Sequence, residues 1–322
     1  MNDDQRQRWE RDGYFIIKGA LNADEVVAFS EELDALDVLS QRHGREPGSY
    51  LDVVNIVDRP TDRSNGMKDL GLKPNRFFID LLDHHSHLGI VCEVMGAAIH
   101  VLGTQVMIRP PNAKPTNRWH RDTVAPYGFP AVNGQLPLQQ FRIGWFLSDM
   151  PEPDMGNLCI IPGSHLEGFP AIPSGLDHAM RVTSFSRYQE LENICDGVPG
   201  ACQITLNAGD AVVFHNSLFH AVARNTSSIS RKNLYYVYGP WWARLNDRMT
   251  VSSEAVALCC PVKQQLIGAT LEPGACGGTP PDKRMPLIQF FEGQGFQEVF
   301  DSEVAEYIRT TQMEMKSDSE WR

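Results

Sequence analysis

The spacing of hydrophobic and polar positions in this chain changes near residue 99. Before that point apolar residues recur at helical intervals. In "LNADEVVAFSEELDAL", Val26, Phe29, Leu33 and Leu36 share one face, because residues three and four apart stack along a helix. Asn22 stands at the N-cap position with Glu25 three residues on, the pairing of a capping box. A second helical stretch covers "RFFIDLLDHHSHLGIVCEVMG", broken near Asp83 and stopped by Gly96. From residue 99 the runs become short, β-branched and aromatic, as in "HVLGTQVMIRP", "FRIGWF", "NLCIIPGS", "AVVFH" and "NLYYVYGPWW". Gly, Pro, Asn and Asp turns separate them. Short strands without long helices between them predict an antiparallel sandwich or barrel. Beyond about residue 245 the pattern weakens to a Gly/Pro-rich loop, "LEPGACGGTPPDKRMP", and a capped terminal helix, "DSEVAEYIRTTQMEM". The expectation is one domain: a helix-rich framing region (1–98), a strand core (99–245) and an extension (246–322) suited to serve as a lid or a homodimer element.

Length and charge narrow the function classes. A chain of 322 residues buries a large core. A formal net charge of -11 gives no field that attracts nucleic acid or an anionic membrane. No apolar run reaches the roughly 18 residues of a membrane span. The charged opening "MNDDQRQRWERDG" leads into no apolar signal core, so the expectation is a soluble, cytoplasmic protein. Seven cysteines form no C-x-x-C pair, which argues against both a zinc cluster and a disulfide framework. Cys159 and Cys202 read as small buried hydrophobes in strands.

The candidate chemistry begins in "NRWHRDTVAP" with His120 and Asp122. On a strand, residues i and i+2 project to the same side, so the two could share a metal, although such a pair also serves ordinary turns. "NAGDAVVFHNSLFHAVARNTSSISRKNLYYV" adds His220 at the start of a short strand and Arg231 eleven residues later. That separation suits a hairpin returning Arg231 beside His220. Two imidazoles and one carboxylate on one face of a metal leave other positions open, as in non-haem iron oxygenases. A planar guanidinium clamps a carboxylate through two parallel hydrogen bonds. The cluster His84, His85 and His87 reads as a solvated helical turn rather than a metal site, because successive helical residues diverge.

These motifs together resemble the phytanoyl-CoA dioxygenase-like branch of the Fe(II)/2-oxoglutarate-dependent oxygenases. The resemblance rests on "WHRD", "GNLCIIPGSH" (156–165), "GDAVVFHNSLFH" (209–220) and "NTSSISRKN", with "WERDGYFIIKGALNADEVVAFSEEL" resembling the family's N-terminal helix-strand-helix. Four ordered motifs are more specific than any one. The resemblance implies a mainly β fold, a double-stranded β-helix of the jelly-roll, cupin-like kind, flanked by helices. It makes His120, Asp122 and His220 the iron ligands and Arg231 the partner of the 2-oxoglutarate distal carboxylate. Gln105, on the strand before the metal strand, is a further candidate for the 2-oxoglutarate site. It sets His215 aside as a strand-end histidine and His165 as a structural one. Asn117 and Arg142 are pocket candidates whose faces alternation alone does not fix.

The implied reaction uses Fe(II), 2-oxoglutarate and O2. 2-Oxoglutarate is decarboxylated to succinate and CO2 while an unactivated C–H bond is hydroxylated or otherwise oxidised. Asp122 occupies the position where halogenating relatives carry a small residue, which disfavours halogenation. Three alternatives use the same residues: a zinc hydrolase, which lacks an H-E-x-x-H helix and gives Arg231 no task; a cupin-like isomerase; and a non-catalytic binding protein on the same fold. The motifs report cosubstrate binding, not selectivity. Selectivity is expected in residues 44–66, in "TVAPYGFPAVNGQLP" after Asp122 and in the C-terminal extension. Tyr50, Tyr127, Phe129 and Trp241 are candidate apolar contacts. Without a Lys/Arg cluster in those loops to match the phosphates of CoA, the expected substrate is a small or medium organic metabolite.

Overall fold

The computed structural model describes residues 1–42, 49–51, 53, 57–58, 68–69, 73–114, 119–122, 133–134, 136–166, 194–196, 198–243, 251–269 and 286–287. The chain opens with α1 (Asp3–Asp12), β1 (Tyr14–Ile17) and α2 (Ala23–Arg42). The predicted capping box of α2 forms in full: Glu25 N donates to Asn22 Oδ1 at 3.0 Å and Asn22 N to Glu25 Oε2 at 2.8 Å. Phe29, Leu33 and Leu36 are buried along its inner stripe. The second helical stretch breaks as read, into α3 (Arg76–Asp80) and α4 (Leu88–Met95), with Gly96 capping α4 at φ 78°. Short helices α5 (Ser253–Ala257) and α6 (Pro261–Leu266) follow the strands.

The core is a six-stranded antiparallel sheet facing a three-stranded one. β2 (Ser49–Leu51), β5 (Ile99–Arg109), β6 (Phe141–Phe146), β9 (Ala211–His215) and β11 (Arg231–Pro240) join β1 in the order β1-β9-β6-β11-β5-β2. β7 (Leu158–Ile160), β8 (Cys202–Gln203) and β10 (His220–Val222) make the smaller sheet, ordered β10-β7-β8. A two-stranded pair, β3 (Val57–Asp58) with β4 (Lys68–Asp69), stands apart. This is the jelly-roll, double-stranded β-helix arrangement. The N-terminal region is not only a helical frame, since it supplies β1 and β2 to the large sheet.

Alternation sorts the side chains into three layers. Val106, Ile143, Trp145, Val213, Leu234, Tyr236 and Tyr238 face the helices and pack with Leu33, Phe78, Leu82 and Val91. The opposite face of the large sheet carries Met107, Phe146, Val212, Phe214 and Tyr235, which meet Leu158 and Ile160 of the small sheet. Outside the small sheet, Cys159, Phe219 and Ala221 pack with Trp119 and Ile194.

Three expectations are corrected. β10 and β11 do not form a hairpin, because they lie in different sheets: β10 pairs with β7, and β11 with β5 and β6. The turn between them is tied across the sandwich by Asn225, whose Nδ2 donates to the carbonyls of Arg109 and Ile229 at 2.9 and 2.8 Å. The His84, His85, His87 turn is not uniformly solvated. His87 is fully buried, its Nε2 is 2.7 Å from the Tyr238 hydroxyl, and its ring meets Trp145 edge-on. Burial depresses this imidazole to about 3, so it is neutral. Cys159 is buried as expected, whereas Cys202 is half-buried. The predicted terminal helix, and all of the Gly/Pro-rich loop but its last residue, lie outside the described residues. Among the described residues no helix is long and apolar enough to cross a membrane.

Candidate metal centre

His120 and His220 meet as an antiparallel bridge: each backbone N–H donates to the other's carbonyl at 3.0 Å. Directly opposed residues point to the same face, which brings the two imidazole rings to 4.1 Å between centroids. Asp122, two residues on, keeps that face, and its backbone N–H donates to Asn216 O at 2.9 Å. The intervening Arg121 points the other way, with its guanidinium carbon 3.9 Å from the centre of the Phe219 ring and Nη2 donating to Ser164 O at 2.6 Å.

The three side chains converge. One ligating atom from each of His120, Asp122 and His220 lies within 4.8 Å of the others. His220 Nε2 is 3.0 Å from Asp122 Oδ2, and His120 Nε2 is 3.6 Å from Asp122 Oδ1. Metal–ligand bonds of about 2.0–2.2 Å place neighbouring ligand atoms roughly 3 Å apart, so the set fits one metal ion with little adjustment. The tautomer fits as well. His220 Nδ1 lies 3.0 Å from Leu218 O, which holds the proton there and turns the Nε2 lone pair toward Asp122.

Asp122 sits in a balance of opposing effects. Burial raises its carboxyl, but Arg142 foremost, then His220 and His120, outweigh burial and hold it well below the usual carboxylate range. Arg142 Nε stands 2.9 Å from Asp122 Oδ2, and its Nη2 donates to Gln140 Oε1 at 3.0 Å. Arg142, whose face the sequence left open, therefore points into the space between the sheets and keeps the acidic group ionised.

Register then locates the other candidates. Arg231 pairs with Arg109, Asn233 with Met107 and Phe146, and Tyr235 with Gln105 and Gly144. Cross-strand partners share a face, so Arg109, Gln105, Arg231, Asn233, Tyr235 and Arg142 all belong to the inner face of the large sheet. Arg231 is completely buried. Its Nη1 donates to Gly156 O at 2.6 Å, while Nε and Nη2 have no hydrogen-bond partner. That open edge is the one that pairs with a carboxylate through two parallel bonds. Gly156, at φ 82°, lies against this side chain, where an added Cβ would stand 3.3 Å from Arg231 Cδ.

His165 and His215 do not join the triad. His165 Nε2 donates to Glu10 O at 3.2 Å, and His215 Nδ1 accepts from Ser217 N at 3.0 Å. Asn117, Tyr127 and Phe129 lie outside the described residues, as does most of the selectivity region after Asp122. Trp241 is half-buried just past β11. Sequence reasoning missed Asn233 and Tyr235. The signal was the every-second-residue series that starts at Arg231 and continues through them on one strand face.

With this geometry in place, comparison with known proteins is informative. The phytanoyl-CoA dioxygenase (PhyH) family profile matches residues 9–233. An ectoine dioxygenase of Nocardia farcinica is 24% identical over 251 residues, covering 74% of this chain and 78% of that protein. The dioxygenase cdmD of Talaromyces verruculosus is 26% identical over 277 residues, covering 80% of this chain and 81% of that protein. HygX from Streptomyces hygroscopicus, in a crystal structure with nickel and 2-oxoglutarate bound, shares the fold with a TM-score of 0.57 at 19% identity, over 76% of this chain and 89% of HygX. The family match reaches both sheets and includes His120, Asp122, His220 and Arg231, and the chain belongs to the phytanoyl-CoA dioxygenase family of Fe(II)/2-oxoglutarate-dependent dioxygenases.

Proposed function

We propose that in this dioxygenase His120, Asp122 and His220 hold Fe(II), Arg231 receives the distal carboxylate of 2-oxoglutarate, and Gln105 contacts the same molecule. The substrate is a small or medium organic metabolite, oxidised at an unactivated C–H bond. The observation that carries this reading is the convergence of three ligand atoms within 4.8 Å on the inner face of the small sheet.

Bound iron, with 2-oxoglutarate and O2, supplies the oxidising chemistry that yields succinate and CO2. The chain's own residues prepare for it. His220 offers Nε2 because Leu218 O holds the proton at Nδ1. Asp122 stays ionised beside Arg142. Arg231 is buried where water does not screen it, which strengthens its attraction for a carboxylate. Gln105 supports the cosubstrate reading by sharing the inner face with Arg231, in register with Tyr235. The carboxylate ligand Asp122 favours hydroxylation over halogenation. The ectoine dioxygenase relative, named for a small organic molecule, supports a substrate of that class. The enzyme is assigned to the cytoplasm, and residues 246–322 remain the candidate lid or homodimer element.

Anaerobic addition of Fe(II) and 2-oxoglutarate to the purified protein tests the assignment. A weak visible charge-transfer band is expected, followed by succinate release once O2 and a substrate are admitted. No band, together with no succinate across a panel of candidate metabolites, would remove the oxygenase assignment and leave the isomerase and binding-protein readings.

A further inference from the structure

The segment that carries two of the three candidate ligands has little backbone to hold it. His120 meets His220 in one isolated bridge, and beyond that bridge the backbone of residues 119–122 makes, among the described residues, a single further bond, from Asp122 N to Asn216 O. A metal site needs its ligands held to within roughly 0.5 Å. So short a pairing leaves that precision to side chains.

Trp119 and Arg121, which alternate with His120 and Asp122, supply it from the opposite face. Trp119 Nε1 donates to Ile194 O at 2.9 Å. The Arg121 guanidinium lies over the Phe219 ring, 3.9 Å from its centre, and Nη2 donates to Ser164 O at 2.6 Å. Ser164 Oγ in turn accepts from Phe219 N at 2.8 Å, and Phe219 O accepts from Ile161 N at 3.0 Å. Arg121 stands between His120 and Asp122, and Phe219 immediately precedes His220. One side-chain contact therefore joins the two ligand-bearing stretches from behind.

Burial is unfavourable for an arginine at this place. Its Nε is buried without a partner, and among the described residues no acidic group offsets the burial. Stability alone favours an apolar residue here. A planar guanidinium, however, covers an aromatic ring with its face while its edge donates a hydrogen bond, a pair of contacts that no apolar chain makes.

We propose that Arg121 is a positioning residue for the metal: its contacts with Phe219 and Ser164 fix the spacing of His120 and Asp122 from His220, and so set metal affinity. The proposal rests on the ligand reading given above. Arg121 acts through the backbone on either side of it. Without this brace, residues 119–122 can turn about their one bridge and carry Asp122 away from His220, while β7 and β10 stay paired.

The test is an anaerobic Mn(II) titration of the full-length protein and of Arg121→Met, Phe219→Leu and the double variant. Arg121→Met is expected to weaken Mn(II) binding about ten- to a hundredfold, the effect of losing a group that orients metal ligands. The melting temperature of its metal-free form is expected to hold or rise, because an unpaired buried charge is removed. The double variant should bind Mn(II) no more weakly than the weaker single variant, since both substitutions break one contact. Mn(II) binding within about twofold of wild type in Arg121→Met would overturn the assignment, as would a lowered metal-free melting temperature or losses that simply multiply in the double variant. A wild-type protein that binds no Mn(II) would instead overturn the ligand reading, and the role of Arg121 with it.

Discussion

The two faces of β11 use buried polar side chains to opposite ends. On the helix side, the Tyr236 hydroxyl donates to Phe78 O at 2.6 Å and the Tyr238 hydroxyl to Leu82 O at 2.8 Å, with His87 Nε2 completing the second group. On the inner side, Arg231, Asn233 and Tyr235 hold buried polar atoms with no partner. Tyr235, Tyr236 and Tyr238 are all buried, so exposure does not distinguish the faces; hydrogen bonding does. Satisfied polar groups tie the sheet to α3 and the residues after it and stabilise the fold. Unsatisfied ones cost stability and acquire a purpose only when a ligand supplies the missing acceptors and donors.

That contrast can be broken at its sharpest point, the metal constellation. His120→Ala and Asp122→Ala are expected to lower substrate-dependent succinate formation by more than about a hundredfold, beyond what even outer-sphere changes do at metal sites, with an unchanged circular dichroism spectrum. Succinate production retained in both variants would mean that other residues hold the metal. Arg231→Leu comes next. It should raise the KM for 2-oxoglutarate by about a hundredfold or more, the effect of losing a charged, two-pronged contact, yet leave urea stability within about 1 kcal/mol, since it also removes a buried, half-satisfied charge. A large stability loss without a change in KM would make Arg231 a structural residue like those of the helix-side face.

The helix-side face should answer to acid instead. His87 is buried and neutral, depressed to about 3 in the fold from an ordinary 6.5. Between those values the unfolded chain binds a proton that the folded one does not, so stability is complete above pH 6.5 and falls as pH drops toward 3. The slope is about 1.4 kcal/mol per pH unit for this group. Urea unfolding at pH 7, 6 and 5 measures it, and His87→Gln should flatten that slope; an unchanged slope would show that His87 is not the group responsible. Smallest are Tyr236→Phe and Tyr238→Phe, each expected to cost about 1–2 kcal/mol in urea unfolding by stranding a buried carbonyl, with 2-oxoglutarate affinity unchanged. A loss of 2-oxoglutarate affinity in either variant would dissolve the distinction between faces.

The legible parts of this protein were those with short-range rules. The α2 cap, the break near Asp83 and the His120–Asp122 pair follow from spacings of two to four residues, within reach of local geometry. What stayed hidden depended on which sheet a strand joins. The segment from His220 to Arg231 has hairpin length, but Asn225 ties its turn to Arg109 and Ile229, sending the strand across the sandwich. His87 looked like one of three polar histidines on a surface turn, because its partner Tyr238 is 151 residues away. Arg142 and Tyr235 could be read as strand residues but not as inward-facing ones, since alternation leaves the choice of face to the register of neighbouring strands.

β1 pairs with β9, joining residues 14–17 to residues 211–214. During synthesis at about 5–20 residues per second, β1 therefore waits roughly 10–40 s for its partner to be made. For that interval a strand with the sequence YFII has no ladder to join, and exposed β edges of this kind are what invite aggregation. The capped α2 just after it, 20 residues long, is a local structure that can form without β9, and the charged α1 segment lies just before it. Together they flank the waiting strand with polar chain, so the arrangement that frames the sheet in the finished protein also keeps charge beside its first strand while the rest of the chain is still being made.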